Sequence, residues 1–415
     1  MHSQVGVVSL IQRYQRIRQQ SLALCRSLSA EDMTAQSMPD ASPAKWHLAH
    51  TTWFFETFLL LERGHKPRNP DYQFLFNSYY HSKGAQYRRP LRGLITRPGV
   101  AEIIDYRTHV DAAVCRLLEE DDPQINQLVE TGLHHEMQHQ ELMLTDILHL
   151  FSLNPLLSAI FESGGETGAS GSCPASTWRE MNEQLAEVGR DRGDGFVYDC
   201  ECPRHKIWLT PFSIQRRLVT NAEWLEFIED GGYGDPLLWL SDGWSCKEKN
   251  NWHAPAYWQQ KEGCWMQYGL DGLQVLQADA PVCHVSYYEA QAYARWASKR
   301  LPREHELEVI ARAQKIDGNF LESDHWRPRA VQDAGANQLY GDVWEWTGSA
   351  FQAYPGFKAE QGALAEYNGK FMCNQLVLRG GSCVTPIEQL RSSYRNFFYP
   401  WQRWQFTGLR LARDD

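Results

Sequence analysis

The sequence predicts an α+β protein of two domains, a helical bundle followed by a loop-rich domain of short strands. The chain has 415 residues, which is more than one ordinary hydrophobic core accommodates. Apolar residues recur at helical spacing in the first third, whereas short runs rich in Trp, Gly and Pro follow residue 196. We therefore expect a bundle over residues 1–162, a linker over 163–195 and a second domain over 196–415.

The first domain is predicted to contain long helices at about residues 8–24, 42–63, 100–119 and 122–153. Ser42 and Pro43 form an N-terminal signal, an N-cap followed by proline at the first helical position, and Gly64 ends that helix. Pro155 prevents the last helix from continuing. Four such helices joined by moderate loops are typical of a four-helix bundle, whose interior often holds a metal.

The second domain is predicted from the Gly, Ser and Pro residues that separate its short segments. Residues 164–172 are rich in Gly and Ser and indicate a connector, with a short helix expected at 177–188. Further helices are expected at 220–230 and at 286–299, where Ser286 provides an N-cap. The remainder consists of short strands and turns. The chain has 16 Trp, 18 Tyr and 17 Phe, a density that suits aromatic packing or a pocket for a cationic ligand.

Composition excludes some classes of partner. The net charge of −10 argues against nucleic acid, because phosphate binding needs a basic surface. The first ten residues lack a signal-peptide pattern, and the apolar run at 51–61 contains Glu56 and is too short to span a bilayer. Ten cysteines occur without a Cys-x-x-Cys pair. We therefore expect reduced thiols, no membrane partner and a cytoplasmic location. The oligomeric state cannot be predicted from these features.

A histidine pair is the most informative local pattern. His135 and His139 lie four residues apart within the last bundle helix, so both imidazoles face the same side and can hold one metal ion. A solvated polar helix face is the ordinary explanation of such a pair. The apolar neighbours Leu133 and Met137 argue against it. A metal site on this helix is therefore predicted.

The second bundle helix offers a third ligand. His47 and His50 are three residues apart, and periodicity alone does not decide between them. Three neutral imidazoles would leave open positions on the metal for substrate and dioxygen. The segment His135-Glu136-x-x-His139 also matches the zinc-protease motif, in which the glutamate is a general base. No glycine turn and third histidine follow at the spacing of the longer metzincin motif, so peptide hydrolysis is the second interpretation.

Four segments together resemble a known family. They are Ser42-Pro43-x-x-Trp46-His47-Leu48-Ala49-His50, His135-x-x-x-His139-x-Glu141, residues 341–347 (GDVWEWT) and residues 378–382 (LRGGS). The chain is similar along essentially its whole length to the sulfoxide synthases of the ergothioneine pathway. The resemblance implies a DinB-like four-helix bundle followed by a C-type-lectin-like domain related to formylglycine-generating enzymes, which would complete the substrate pocket.

The resemblance also implies a cofactor and substrates. Fe(II) would be held by His50, His135 and His139. His47 would be a neighbouring core residue, and its replacement by alanine would largely keep metal and product. Hercynine, the Nα-trimethylated histidine, would bind beside the iron and the thiol of cysteine would ligate it. With dioxygen, a sulfoxide with a new bond between sulfur and the imidazole carbon would form.

Further site residues are implied by position within the family's motifs. Tyr80 would be the acid–base residue with Tyr79 as its partner, and Arg89 and Arg92 would bind the carboxylate of the sulfur donor. Hercynine would contact four residues, Gln138, Asn396, Phe397 and Phe398. Phe397-Phe398 replaces the Trp-Asp of the branch that uses γ-glutamylcysteine. This departure, with the paired tyrosines, favours cysteine as the donor.

Other functions remain open at the level of sequence. The same pocket residues are compatible with γ-glutamylcysteine as donor, or with the selenosugar of selenoneine synthases. A zinc hydrolase built on His135 and His139, and a binding module without catalysis, are more distant alternatives. Iron rather than zinc in the purified protein would exclude the hydrolase. Ligand binding without dioxygen uptake would favour the binding module.

Overall fold

A computed structural model describes residues 9–162, 176–331 and 337–414. The chain divides into two compact units, Met1–Leu153 and Asn154–Asp415. The first is helical and the second mixes short helices with small sheets, so the predicted α+β class is confirmed. Most of the predicted connector, at residues 163–175, lies outside the described residues. The predicted domain limits stay a prediction.

The first unit is a helical bundle. Its helices are α1 (Leu10–Ala23), α2 (Ala44–Phe55), α3 (Tyr72–Leu75), α4 (Val100–Leu118) and α5 (Pro123–Ser152). The long helices α1, α2, α4 and α5 correspond to the four predicted ones, and each of α1 and α2 packs against both α4 and α5. α2 continues through a π-helical turn, Glu56–Leu60, and a 3-10 turn, Leu61–Arg63, and ends at Gly64 with φ of +80°.

The helix ends follow from capping chemistry, with one correction. The side chain of Asp122 accepts hydrogen bonds from the backbone N–H groups of Gln124 (2.7 Å) and Ile125 (3.4 Å), which begins α5 where predicted. Ser42 was predicted as the N-cap of α2, but the N-cap is Pro43 and no side chain caps this end. The hydroxyl of Ser42 instead accepts a hydrogen bond from Arg92 Nη1 at 2.9 Å. The Ser42 hydroxyl oxygen is therefore bonded to the buried guanidinium of Arg92 and does not cap the helix.

Helix α2 lies in the centre of the bundle. All 12 of its residues are buried, among them the polar side chains of His47, His50, Thr51 and Thr52. A helix that is buried on every side has no solvent to satisfy its polar groups, so each needs a partner inside the protein. Thr52, for example, donates to the carbonyl of Leu48 and accepts from Arg18. Nε2 of His50 is an exception, because it is buried and has no hydrogen-bond partner among the described residues.

The second unit is built from short strands. They are β1 (Trp178–Met181), β2 (Gln184–Val188), β3 (His205–Leu209), β4 (Phe212–Gln215), β5 (Trp258–Lys261), β6 (Cys264–Gly269), β7 (Gly272–Val275), β8 (Trp344–Ala350), β9 (Leu376–Arg379), β10 (Asn396–Phe398), β11 (Thr407–Gly408) and β12 (Ala412–Asp414). Its helices are α6 (Asn221–Glu229), α7 (Ser241–Asn250), α8 (Tyr287–Trp296) and α9 (Glu304–Arg312). The predicted helices at 220–230 and 286–299 correspond to α6 and α8, whereas α7 and α9 were not predicted.

Four small sheets result within the described residues, with strand orders β1-β4-β12, β10-β9-β8-β11, β2-β3 and β5-β6-β7. β10 lies at one edge of its sheet and pairs with β9 in antiparallel register, Asn396 opposite Leu378. β11 pairs with β8 in parallel and closes the other edge. This sheet carries the predicted motif segments at 341–347 and 378–382. The segment 396–398 is therefore held by a strand pairing rather than by a free loop.

The prediction of a short helix at residues 177–188 is wrong. These residues form β1 and β2, which pair with β4 and β3 of the second unit. A pairing with strands that are distant in sequence outweighs the weak local preference of a short segment. Strands thus occupy part of the segment that was predicted as a linker. Across the described residues, none of the helices has both the length and the apolar character needed to cross a bilayer.

Candidate metal centre

Three histidines from two helices converge inside the bundle. His50 on α2 and His135 and His139 on α5 each offer one ring nitrogen, and these nitrogens lie within 4.8 Å of one another. The ring centroids of His50 lie 5.0 Å from His135 and 4.8 Å from His139. His50 and His135 are buried and His139 is half-buried. The structure thus brings together the three predicted ligands, although their role in metal binding stays a prediction.

The orientation of His50 is set by the backbone. Its Nδ1 lies 2.6 Å from the carbonyl oxygen of Phe76, which can only accept, so Nδ1 carries the proton and donates it. Its Nε2 is buried and has no hydrogen-bond partner among the described residues. Trp46 and Trp53 stack on the imidazole, with centroid distances of 4.6 and 5.5 Å. A buried bare nitrogen fixed in this way fits a metal ligand.

The three imidazoles are neutral. Burial lowers the pKa of His135 to about 3, where the neighbouring Glu136 opposes the effect and His47 adds to it. Burial and then His135 hold the pKa values of His50 and His139 well below the usual range of histidine. A metal ion binds only the deprotonated nitrogen, so no proton needs to be displaced at pH 7.

His47 is not merely a core neighbour of the cluster. Its Nδ1 lies 2.8 Å from Nδ1 of His139, and its Nε2 lies 3.0 Å from Oδ2 of Asp146. The sequence interpretation named His47 as an alternative ligand but did not include Asp146. Helical spacing contains a signal for it, since Asp146 lies seven residues, or about two turns, after His139 on the same helix.

The donor set fits a divalent first-row metal ion. Neutral imidazole nitrogens suit iron, zinc, copper and nickel, and three of them leave positions open for other ligands. The bare Nε2 of His50 and the low pKa values of the three histidines agree with such an ion. The residues present therefore fit the Fe(II) that the sequence resemblance implies, and the donor set by itself fits zinc as well.

Glu136 faces away from the histidines and forms part of a buried ion cluster. Its carboxylate accepts from Arg18 Nη1 at 2.8 Å, from Arg107 Nη2 at 2.5 Å and from the hydroxyl of Ser21. Burial alone would raise its pKa, but the two guanidinium groups outweigh burial and hold that pKa at about 2. A carboxylate held in this way does not act as general base towards a metal-bound water. The zinc-protease interpretation therefore lacks its base.

The two predicted catalytic tyrosines lie beside the cluster. Their rings stack on each other with centroids 4.7 Å apart, and Tyr80 is buried while Tyr79 is half-buried. The ring of Tyr80 also packs against Trp53 at 5.6 Å, the indole that contacts His50. Asn77 holds this turn, because its side chain donates to the carbonyl of Tyr80 and accepts from its N–H. One ring therefore separates Tyr80 from a candidate ligand.

The two predicted arginines have different environments. Arg92 is buried, and its guanidinium lies 3.4 Å from the ring centroid of Trp46, the indole that stacks on His50. Its hydrogen bonds in the described residues go to the hydroxyls of Ser42 and Ser78 and not to a carboxylate. Arg89 is exposed and donates to the backbone carbonyl of Asp40. Gln138, the residue before His139, is half-buried.

The remaining predicted residues belong to the second unit. Asn396, Phe397 and Phe398 form β10 and are half-buried. The side chain of Asn396 accepts from the N–H of Phe397 at 2.9 Å, and the ring of Phe397 stacks on Phe351 with a centroid distance of 4.1 Å. The ring of Phe371 is also stacked near Phe397, with a centroid distance of 5.9 Å, so Phe397 belongs to an aromatic cluster of the second unit.

The residue before β10 is held firmly. Arg395 forms a two-pronged ion pair with Glu304, with distances of 2.9 and 3.0 Å, and donates to the carbonyl of Cys200. Arg379 on β9 donates to the same carboxylate at 3.0 Å. Glu304 thus connects α9 to two adjacent strands. These contacts were not predicted from the sequence.

Fold and site define the class: a DinB-type helical bundle with a buried three-histidine centre, followed by a domain of small sheets. Residues 13–143 match the model of the DinB superfamily. Residues 180–338 and 330–415 match that of the sulfatase-modifying factor enzyme 1-like domain. Both halves of the predicted fold are therefore confirmed.

Full-length relatives identify the family. The chain is 33% identical to a protein named hercynine oxygenase from Mycolicibacterium smegmatis, over 96% of both chains. It is 31% identical to a hercynine oxygenase of Mycobacterium tuberculosis, over 96% of this chain and 97% of that one. A Schizosaccharomyces pombe protein named ergothioneine biosynthesis protein 1 is 27% identical over 53% of this chain and 28% of its own length. The chain belongs to the hercynine oxygenase family of the ergothioneine pathway.

Proposed function

We propose that this protein is a non-haem Fe(II) enzyme that uses dioxygen to join the sulfur of cysteine to the imidazole of hercynine, giving a sulfoxide. One observation carries the proposal: a buried cluster of three neutral histidines in a chain that aligns over 96% of its length with a hercynine oxygenase. The reaction balances. Hercynine loses its ring C–H hydrogen and cysteine its S–H hydrogen, one oxygen atom enters the sulfoxide and the other leaves as water.

The histidines are proposed to hold the ion. His50, His135 and His139 would be its protein ligands, and the bound iron would supply the redox chemistry with dioxygen. The aromatic rings of Trp46, Trp53 and Phe54 pack against His50 and His135 and shield these two buried residues from water. Excluding water protects a reactive site from side reactions.

Tyr80 is proposed to exchange protons with the substrates. Its phenol would give up and take back a proton during formation of the carbon–sulfur bond, while the stacked ring of Tyr79 keeps it in place. Gln138 next to His139 is proposed to hydrogen-bond hercynine. Asn396, Phe397 and Phe398 are proposed to contact hercynine as well, on the sequence resemblance alone.

Arg92 supports an amino acid as the sulfur donor. A buried guanidinium without a carboxylate partner is costly, and a carboxylate ligand would relieve this cost. Burial, and then the charge of Arg89, hold the pKa of Arg92 well below the usual range of arginine, although the charge of Asp146 opposes both effects. Arg89 would assist from the surface. Cysteine provides the required carboxylate and thiol together.

The test is a single anaerobic reconstitution. Purified apo-protein is loaded with Fe(II) under nitrogen, mixed with hercynine and cysteine, and exposed to air, and the products are weighed by mass spectrometry. The expected mass is that of hercynine plus cysteine plus one oxygen, less two hydrogens. A matched sample loaded with Zn(II) is expected to bind its metal without consuming dioxygen.

Other results would change the proposal in defined ways. Dioxygen uptake with unchanged hercynine would exclude cysteine as the donor and direct the test to γ-glutamylcysteine and then to a selenosugar. No dioxygen uptake with any of these donors would contradict the proposed oxygenase chemistry.

A further inference from the structure

We propose that His47 and Asp146 are a positioning pair that sets the tautomer of His139, keeping its proton on Nδ1 so that Nε2 is free to bind the metal. The inference rests on the proposed metal site and adds to it a requirement outside the three ligands. It replaces the expectation from the sequence that a variant without His47 largely keeps its metal. The residues involved form a line of hydrogen bonds from Asp146 through His47 to His139.

The line of hydrogen bonds begins at the carboxylate of Asp146, which can only accept hydrogen bonds. Oδ2 of Asp146 accepts from the backbone N–H of Ser42 at 2.7 Å and lies 3.0 Å from Nε2 of His47. The proton of this second bond must therefore come from His47. A neutral imidazole carries one proton, so Nδ1 of His47 is left as an acceptor.

The direction of the next bond follows. Nδ1 of His47 and Nδ1 of His139 are 2.8 Å apart, and one of them must donate. Since Nδ1 of His47 is the acceptor, Nδ1 of His139 carries the proton. The lone pair of His139 is then on Nε2, the nitrogen available for a metal. The opposite arrangement, with both nitrogens of His47 protonated, would place the His139 proton on Nε2 and close that nitrogen to the ion.

His50 reaches the same tautomer by another route. Its Nδ1 donates to the carbonyl of Phe76 at 2.6 Å, which leaves Nε2 bare. A ligand histidine commonly donates its second ring N–H to a carboxylate or a backbone carbonyl, which fixes the ring and raises its basicity. At His139 a second imidazole stands between ring and carboxylate.

Water cannot replace this pair. His47 is 4% exposed and Asp146 is 7% exposed, so a lost hydrogen bond would not be restored by solvent. The two helices that supply the ligands also supply the pair, His47 from α2 and Asp146 from α5. Replacing His47 by a residue without an acceptor would leave the Nδ1 proton of His139, a half-buried side chain, without its partner in the protein.

Two variants of His47 separate this role from simple packing. His47→Phe keeps a ring of similar volume but has no acceptor, whereas His47→Asn is smaller but can present its amide oxygen near the position of Nδ1. The dissociation constants of Zn(II) and Co(II) are measured on the full-length apo-protein by competition with a chelator. We expect about 10- to 100-fold weaker binding for His47→Phe, with His47→Asn between this variant and the wild type.

A packing role predicts the reverse order, because the asparagine leaves a cavity and the phenylalanine does not. Metal binding by His47→Phe that equals the wild type would overturn the inference. So would equal losses in both variants. The visible absorption of the Co(II) protein gives a second readout, because it responds to the ligand set rather than to catalysis, and it is expected to change in His47→Phe more than in His47→Asn.

Controls distinguish the possible failures. His149 lies further along α5, is half-buried and has its own bond from Nδ1 to the hydroxyl of Ser37 at 2.7 Å, so His149→Gln is expected to bind metal normally. Circular dichroism of each apo-variant checks folding. If His47→Phe does not fold, Asp146→Asn takes its place: it keeps an acceptor oxygen but loses the charge, and weaker metal binding is again expected.

Metal binding by the wild-type protein distinguishes failure of the proposed metal site from failure of the proposed role of His47 and Asp146. Failure of the wild type to bind Zn(II), Co(II) or Fe(II) would contradict the metal site itself. Normal binding by the wild type and by all variants would contradict only the role of His47 and Asp146.

Discussion

Nδ1 of His50 lies 2.6 Å from the carbonyl oxygen of Phe76, and this bond joins the central helix α2 to the turn that carries Tyr79 and Tyr80. The residue that is proposed to hold the metal thereby helps to place Tyr80, which is proposed to move protons, and its partner Tyr79. Asn77 continues the connection through its two hydrogen bonds to the backbone of Tyr80. A change at His50 is therefore expected to affect both parts of the site.

His50→Ala is expected to lose bound iron and product formation together. The substitution removes one of three ligands and the donor to Phe76, and it leaves a space between Trp46 and Trp53. Metal content after anaerobic loading, measured by elemental analysis, and product yield by mass spectrometry are compared with those of His149→Gln. Full iron content in His50→Ala would remove His50 from the ligand set.

Tyr80→Phe is expected to keep its iron but to divert turnover from carbon–sulfur bond formation towards oxidation of the thiol alone. The ring remains packed against Trp53 and Phe58, so only the phenolic hydroxyl group, with its exchangeable proton, is lost. The ratio of sulfoxide to oxidised thiol is the measurement. Tyr106→Phe is the matched control, since this buried phenol donates to Glu56 and its loss should cost about 1 kcal/mol of stability without changing the product ratio. An unchanged ratio in Tyr80→Phe would exclude Tyr80 from the mechanism.

Arg92→Met is expected to raise the KM for cysteine by tenfold or more (roughly 1.4 kcal/mol) with little change in the KM for hercynine. The proposed contact is a charge-assisted bond to the donor carboxylate inside the protein. Arg89→Met should have a smaller effect, because the Arg89 side chain is exposed to solvent. Steady-state rates of dioxygen uptake, measured once at varied cysteine and once at varied hercynine, provide the comparison. Equal effects on both substrates would indicate a structural role for Arg92.

Glu136→Gln is expected to destabilise the first unit by roughly 3–5 kcal/mol, because it leaves buried guanidinium charge without its carboxylate. Urea unfolding of the apo-protein measures the loss. Any variant that folds should still bind metal, since Glu136 faces Arg18 and Arg107 rather than the histidines. A fully stable variant with abolished activity would instead restore a catalytic role for this glutamate.

Lowering the pH is expected to weaken the contribution of Glu304 to the stability of the second unit. Burial would raise the pKa of this carboxyl, but Arg395 and Arg379 outweigh burial and lower it. The pKa of Glu304 is therefore lower in the folded state than in the unfolded state. Its contribution to the free energy of unfolding is complete above the unfolded-state pKa and is lost as the pH falls through the folded-state pKa. The stability difference between wild type and Glu304→Gln should therefore be large at pH 7 and shrink below about pH 4.

Denaturant unfolding at several pH values tests this dependence. Glu248→Gln is the control, because Glu248 is an exposed carboxylate that pairs with Lys247 and should contribute about 0–1 kcal/mol at any pH. A difference for Glu304→Gln that is constant with pH would show that the charge of Glu304 is not what stabilises this part of the second unit.

The bundle could be predicted closely because its signals are local. The Asp122-Pro123 start of α5 and the Gly64 end of α2 are properties of a few adjacent residues, and helical spacing places His135 and His139 on one side of α5. The strands β1 and β2 could not be predicted in the same way. Their conformation depends on partners in β4 and β3 that lie more than fifteen residues away.

The candidate site shows the same division. The sequence by itself determined the family and placed His135 and His139 on one side of a helix, because residue types and helical spacing can be seen along one chain. The prediction of His50 as the third ligand came from the family resemblance. Only the tertiary structure decided that Glu136 is held by Arg18 and Arg107, and that His47 and Asp146 form a line of hydrogen bonds to His139. The physical reason is that a side chain's partner, and with it its charge and its proton, depends on which helices pack together, and packing brings together residues that are distant in sequence.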